Sequence, residues 1–205
     1  MENEILRIYL GELETQSIMA INAAKPLDEI MASYYYVEDL TAENKNYLHK
    51  NTFRVIHSFL THLSNVSRLI WPPAISPRQN CFCGKPKANG LVCNTCVARD
   101  RSAAILKALE LQGQEHVLRE RTLRDHLEHF DERIDHWTQN TKMKCYVQDY
   151  IGPKDGFYGI DQADMMRQYD PTTGDFTFRG ETYSLPMLFE GAKDIRARAQ
   201  AALVR

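Results

Sequence analysis

Two groups of residues in this chain have types and spacings that could do chemistry. The first is Cys81, Cys83, Cys93 and Cys96, which read as C-x-C-G, an intervening stretch, then C-x-x-C. Two close thiolate pairs carried on turns are what a tetrahedral Zn²⁺ needs from a short loop, and Gly84 and Gly90 permit tight backbone turns around an ion. Four thiolates leave no position open for water, so the pattern predicts a structural zinc rather than a catalytic one. The alternative is four reduced cysteines buried for packing. The shortage of apolar neighbours in this segment speaks against it.

The second group lies in the run RERTLRDHLEHFDERIDHW, from Arg119 to Trp137. At about 100° per residue, Leu123, Leu127, Phe130, Ile134 and Trp137 form one apolar stripe, and Arg124, Asp125 and His129 fall on the arc roughly opposite. These three side chains therefore face solvent, another subunit or a ligand. Histidine titrates near physiological pH, and the planar guanidinium of arginine matches phosphate oxygens in a way that lysine does not. The other reading is a solvated or interfacial helix face laced with ion pairs, which Glu128 and Glu132 would supply.

Helices must position both groups. From Glu2 to about Ala24 the apolar residues Ile5, Ile8, Tyr9, Leu13 and Ile21 keep helical spacing, and Pro26 marks the end. A shorter helix is expected over Leu27 to Leu40. Thr41 before Ala42, Glu43 and Asn44 reads as an N-cap, and Phe53, Ile56, Leu60, Leu63 and Ile70 extend that helix until Trp71, Pro72 and Pro73 stop it. The Pro-, Gly- and Cys-rich stretch 72–100 reads as an insert built around the metal. Helical character returns from Arg101 to Leu111 and again from Leu118 to Trp137.

Beyond Asn140 the texture becomes strand-like. The turn chemistry of Asp170 to Gly174 predicts a β-hairpin between Met165 to Tyr169 and Phe176 to Phe178, and Leu185 to Leu203 closes the chain as a helix. The expected class is mainly α, with a helical bundle over 1–140 and a strand-rich tail over 141–205 packed on it. No internal repeat or low-complexity tract is present.

The chain has 205 residues, of which 43% are hydrophobic and 25% charged, with a net charge of -2. That balance gives no global electrostatic footprint for nucleic acid or an anionic membrane. Locally, Arg78, Lys85, Lys87, Arg99 and Arg101 surround the cysteines against Asp100 alone, a basic patch that either meets phosphates or serves as a solvated face. The start MENEILRIYLGELE lacks the apolar core of a secretory signal, and no stretch approaches the roughly 20 apolar residues of a membrane span. These features predict a cytoplasmic protein whose cysteines are metal ligands or thiols, with Cys145 standing apart.

At Arg124, Asp125 and His129 the chain resembles the HEPN superfamily of helical bundles, whose signature is Arg, a polar residue, a few more residues and His. The wider string LRDHLEHFDERID is similar to that of bacterial HEPN-like proteins, and the cysteine segment is similar to zinc ribbons and knuckles. The resemblance covers about residues 2–140. It implies a homodimer whose composite cleft holds two copies of the motif, and metal-independent endoribonuclease activity of the kind found in toxin–antitoxin and defence systems. In that chemistry His129 moves the 2′-hydroxyl or leaving-group proton, Arg124 holds the phosphate and Asp125 orients either one. Asp125 stands where active members carry asparagine. The resemblance also allows RNA and an antitoxin as partners, or a non-catalytic interaction or nucleotide-binding module.

Overall fold

The computed structural model describes residues 3–72, 94–120, 122, 129–142, 144–156 and 159–205. Helix α1 (Asn3–Ala24) runs to the turn at Pro26, and α2 (Leu27–Tyr36) ends four residues short of the expected Leu40. Helix α3 (Ala42–Ile70) begins at Thr41, whose side chain accepts a hydrogen bond from the Asn44 N–H, as an N-cap should. Its long apolar stripe is buried: Phe53, Ile56, Phe59, Leu60, Leu63 and Ile70 are each at most 3% exposed. Helix α1 packs against α3 and against the closing helix α6 (Leu185–Val204), so the bundle core lies among these three.

Helix α4 (Asn94–Ala108) starts seven residues before the expected Arg101. The stretch 94–100, assigned to the insert, is therefore helical, and residues 73–93 of that insert lie outside the described residues. Ser102 and Arg101 fasten α4 to the end of α3 by donating to the carbonyls of Ile70 and Leu69. These are carbonyls that a helix end otherwise leaves without intrahelical partners.

The run expected as one helix from Leu118 to Trp137 is not continuous. Val117–Arg119 is a 3₁₀ turn, and Glu120 leaves it with extended backbone. The next described helix, α5 (Phe130–Asn140), begins after His129, which adopts φ -112° and ψ 39°. The 3₁₀ turn packs on α3 and α6, and Gly191 makes this possible: a Cβ there would meet Val117 Cγ1 at 2.5 Å.

The tail folds into more than a hairpin. Strands β1 (Val147–Ile151), β2 (Met165–Asp170), β3 (Asp175–Phe178) and β4 (Glu181–Ser184) form a four-stranded sheet in that order, with β1 parallel to β2 and the other neighbours antiparallel. The expected turn at Asp170–Gly174 joins β2 to β3, and Asp170 Oδ1 accepts from Thr172 N–H to close it. A two-residue turn, Arg179-Gly180, joins β3 to β4 with positive φ at both positions (48° and 88°). Among the described residues no helix is long and apolar enough to cross a membrane.

Candidate functional site

Helix α5 decides what its polar residues can reach. Phe130, Ile134 and Trp137 share one face and pack toward the core, and Trp137 Nε1 donates to Asp164 O at 2.7 Å. The helical period then puts His129, Glu132, Arg133 and His136 on the neighbouring arc. His129 is half exposed, at 51% of its side chain, and its Nδ1 lies 3.4 Å from Glu132 Oε1. Position 129 is therefore a surface imidazole on the N-cap of a helix whose next residue is anchored. Arg124 and Asp125, the other members of the expected motif, lie outside the described residues.

Farther along the same face, Arg179 Nη2 lies 2.8 Å from His136 Nδ1, and Arg179 Nη1 donates to the Arg133 carbonyl at 3.3 Å. The Nε atoms of both Arg133 and Arg179 are buried without a hydrogen-bond partner. Burial first, and then the neighbouring Arg133 charge, lowers the pKa of Arg179. Among the described residues neither guanidinium has a carboxylate in ion-pair range. Sequence reading passed over this group because Arg179 comes from a β-turn some forty residues away in the chain.

Beneath α5 lies a second polar cluster that no local motif announces. Asp149, Arg167 and Phe178 are cross-strand neighbours on β1, β2 and β3, so their side chains share one sheet face. Arg167 Nε lies 2.6 Å from Asp149 Oδ1, and Nη2 donates to Oδ2 at 3.1 Å, an ion pair joined by one well-directed hydrogen bond. The guanidinium also stacks between the rings of Phe53 and Phe130, each 5.6 Å away. Its Nη1 lies 3.1 Å from His57 Nε2. Burial, with the Arg167 charge second, pushes the His57 pKa down to about 4, so this imidazole is a neutral acceptor. Burial likewise lowers the pKa of His49, against the opposing pull of Asp149. With both charged partners largely enclosed, the cluster clamps the sheet to α3.

Of the four expected zinc ligands, only Cys96 is described, and Cys81, Cys83 and Cys93 lie outside. Cys96 is buried in the first turn of α4, and Arg99 Nη2 approaches its sulphur at 3.7 Å. The Cys96 sulphur is disulfide-bonded in the structure. A disulfide and a zinc–thiolate cluster are alternative fates of closely spaced cysteines, and the redox compartment decides between them. Cys145 is exposed and free. Among the described residues no group of three or more potential ligands is gathered at one point.

A cleft of about 570 Å³ lies elsewhere, between the α1–α2 turn, α3, the β2–β3 turn and the start of α6. Leu27, Phe59 and Leu185 give it an apolar lining, and Lys25, Asp28 and Glu190 its charges. Tyr169 also lines it, and burial, with Asp28 next, pushes that phenol up to about 12, so it stays protonated. Of the expected site residues that are described, neither His129 nor Cys96 lines it. No family model, no curated protein and no solved structure matches the chain.

Proposed function

We propose that this chain is a HEPN-like, zinc-stapled bundle that cleaves RNA without a catalytic metal, at a face carrying Arg124, Asp125 and His129. The observation that carries the reading is the setting of His129, a surface imidazole whose backbone is held by the partly buried ring of Phe130 packed on the core beside it. An imidazole so placed is free to exchange protons with a substrate while its backbone is held. One imidazole takes the 2′-hydroxyl proton as that oxygen attacks the adjacent phosphorus. The phosphorus–O5′ bond breaks, O5′ receives a proton, and a 2′,3′-cyclic phosphate remains. Arg124 neutralises the charge on the non-bridging oxygens, and the same residues of a second copy complete the cleft. The four cysteines hold one structural Zn²⁺ and take no part in this chemistry.

The test is incubation of purified protein with single-stranded RNA in the presence of EDTA, beside Arg124→Ala and His129→Ala. Cleavage by the wild type, lost in both variants with unchanged melting curves, supports the reading. Equal cleavage by all three rejects it.

The second reading is a non-catalytic, zinc-stabilised interaction or nucleotide-binding module. The contact of His129 with Glu132 favours it, because an imidazole held by its own helix is suited to an interface. It expects ligand or partner binding with no RNA cleavage.

A further inference from the structure

The Arg179–His136–Arg133 group has chemistry that the proposed cleavage does not use. Arg179 occupies the first position of a two-residue turn between antiparallel strands, with φ 48°, followed by Gly180 at φ 88°. Turns of this shape suit Asn-Gly, and a long side chain there carries strain of about 1 kcal/mol. The placement directs a guanidinium onto the α5 face, where it meets His136 Nδ1 and the Arg133 carbonyl. Because Nδ1 accepts from Arg179, the neutral His136 ring carries its proton on Nε2 and presents a second donor.

Arg179 also feels the charge of Arg133, and neither guanidinium has a carboxylate in ion-pair range among the described residues. Glu132, the acid nearest in sequence to Arg133, lies against His129 instead. Asp164, on the far side, is buried and accepts from the Lys142 N–H, so it offsets the charge of Arg179 only at longer range. Asp135 is exposed on the adjoining arc of α5, with no ion pair among the described residues. A compact oxyanion with several acceptors is the group that such a donor set fits.

We infer that Arg179, Arg133 and His136 form a phosphate-binding subsite. It lies about 10 Å along α5 from His129, a distance that follows from the helical rise. On the proposed function, on which this reading rests for its substrate, the subsite holds a backbone phosphate of the RNA strand flanking the one that is cleaved. The phosphate itself is the shared chemistry, whether free or in a strand.

Arg179→Asn is the informative variant, because it removes the guanidinium while improving the turn. Its melting temperature is expected to equal or exceed that of the wild type. Two probes are used: inorganic phosphate, followed through the His136 imidazole signals, and a labelled single-stranded RNA. Relative to wild type, Arg179→Asn is expected to lose the phosphate-dependent shifts and to bind the RNA about tenfold more weakly. The slope of log affinity against log salt is expected to flatten by about 0.7 for the contact removed.

Unchanged RNA affinity and salt slope in Arg179→Asn, or no response of the wild type to either probe, overturns the subsite. Phosphate shifts lost in the variant, with RNA affinity unchanged, keep a free-anion site and overturn the strand contact. Arg179-dependent binding without any cleavage keeps the subsite and removes the nuclease reading. Cleavage that ignores Arg179 does the reverse.

Discussion

Arg167 Nη1 lies 3.1 Å from Nε2 of His57, and this contact fastens the sheet to helix α3 through residues more than a hundred positions apart. A cation beside a buried imidazole keeps that imidazole neutral, so acid works directly against the fold.

The pH dependence follows with a definite sign. The unfolded chain protonates His57 near its ordinary value of 6.5, whereas the folded chain resists until about pH 4. Between those values the unfolded state binds the extra proton, so stability is lost as pH falls through this window and levels off below it. The full contribution of a shift this size is on the order of 3 kcal/mol. Burial lowers the pKa values of His49 and His116 too, adding in the same direction. Denaturant titrations at pH 7 and pH 4.5 measure the loss, and His57→Gln is expected to reduce it.

The ion pair of Arg167 and Asp149 makes a separate prediction. Lysine keeps the charge at position 167 but neither the planar guanidinium that pairs with Asp149 nor its stacking between Phe53 and Phe130. Arg167→Lys is expected to lower stability by about 1–3 kcal/mol with an unchanged denaturant m-value. A midpoint equal to that of wild type would count against the clamp.

Gly191 is needed for its lack of a side chain. Alanine at this position drives a methyl into Val117, a stiff β-branched residue, where the 3₁₀ turn crosses α6. Overpacking of this kind costs about 1–3 kcal/mol, and Val117→Ala in the same chain is expected to recover part of it. Thermal melts of the single and double variants check the pairing.

The cysteine cluster is tested by metal analysis of protein purified without reducing or chelating agents. One zinc per chain, with four thiols that react with an alkylating reagent only after denaturation, is the expected result. Metal-free protein with those cysteines in disulfides would replace the zinc by oxidative cross-linking.

What was legible in the sequence was mostly what is local. The Thr41 cap, the stop at Pro26, the turn at Asp170–Gly174 and the closing helix from Leu185 all rest on neighbouring residues, and all stand where those residues placed them. The non-helical backbone at His129 before α5 was not legible, because Leu123 to Trp137 keep an unbroken apolar period that spans a non-helical turn as readily as a helix. The parallel pairing of β1 with β2 and the meeting of His57, Asp149 and Arg167 depend on contacts between distant segments, which no local period encodes. Of the expected site residues, His129 stands at the surface as expected. Cys96 lies in a helix rather than in a loop.

The central claim concerns proton transfer at His129, and the most direct measurement is the initial rate of cleavage of a single-stranded RNA in EDTA by wild type and His129→Ala. Loss of one general acid or base predicts a fall of about 10²- to 10⁴-fold, with a 2′,3′-cyclic phosphate on the wild-type product. Equal rates for the two proteins, or no cleavage by the wild type, would contradict the account.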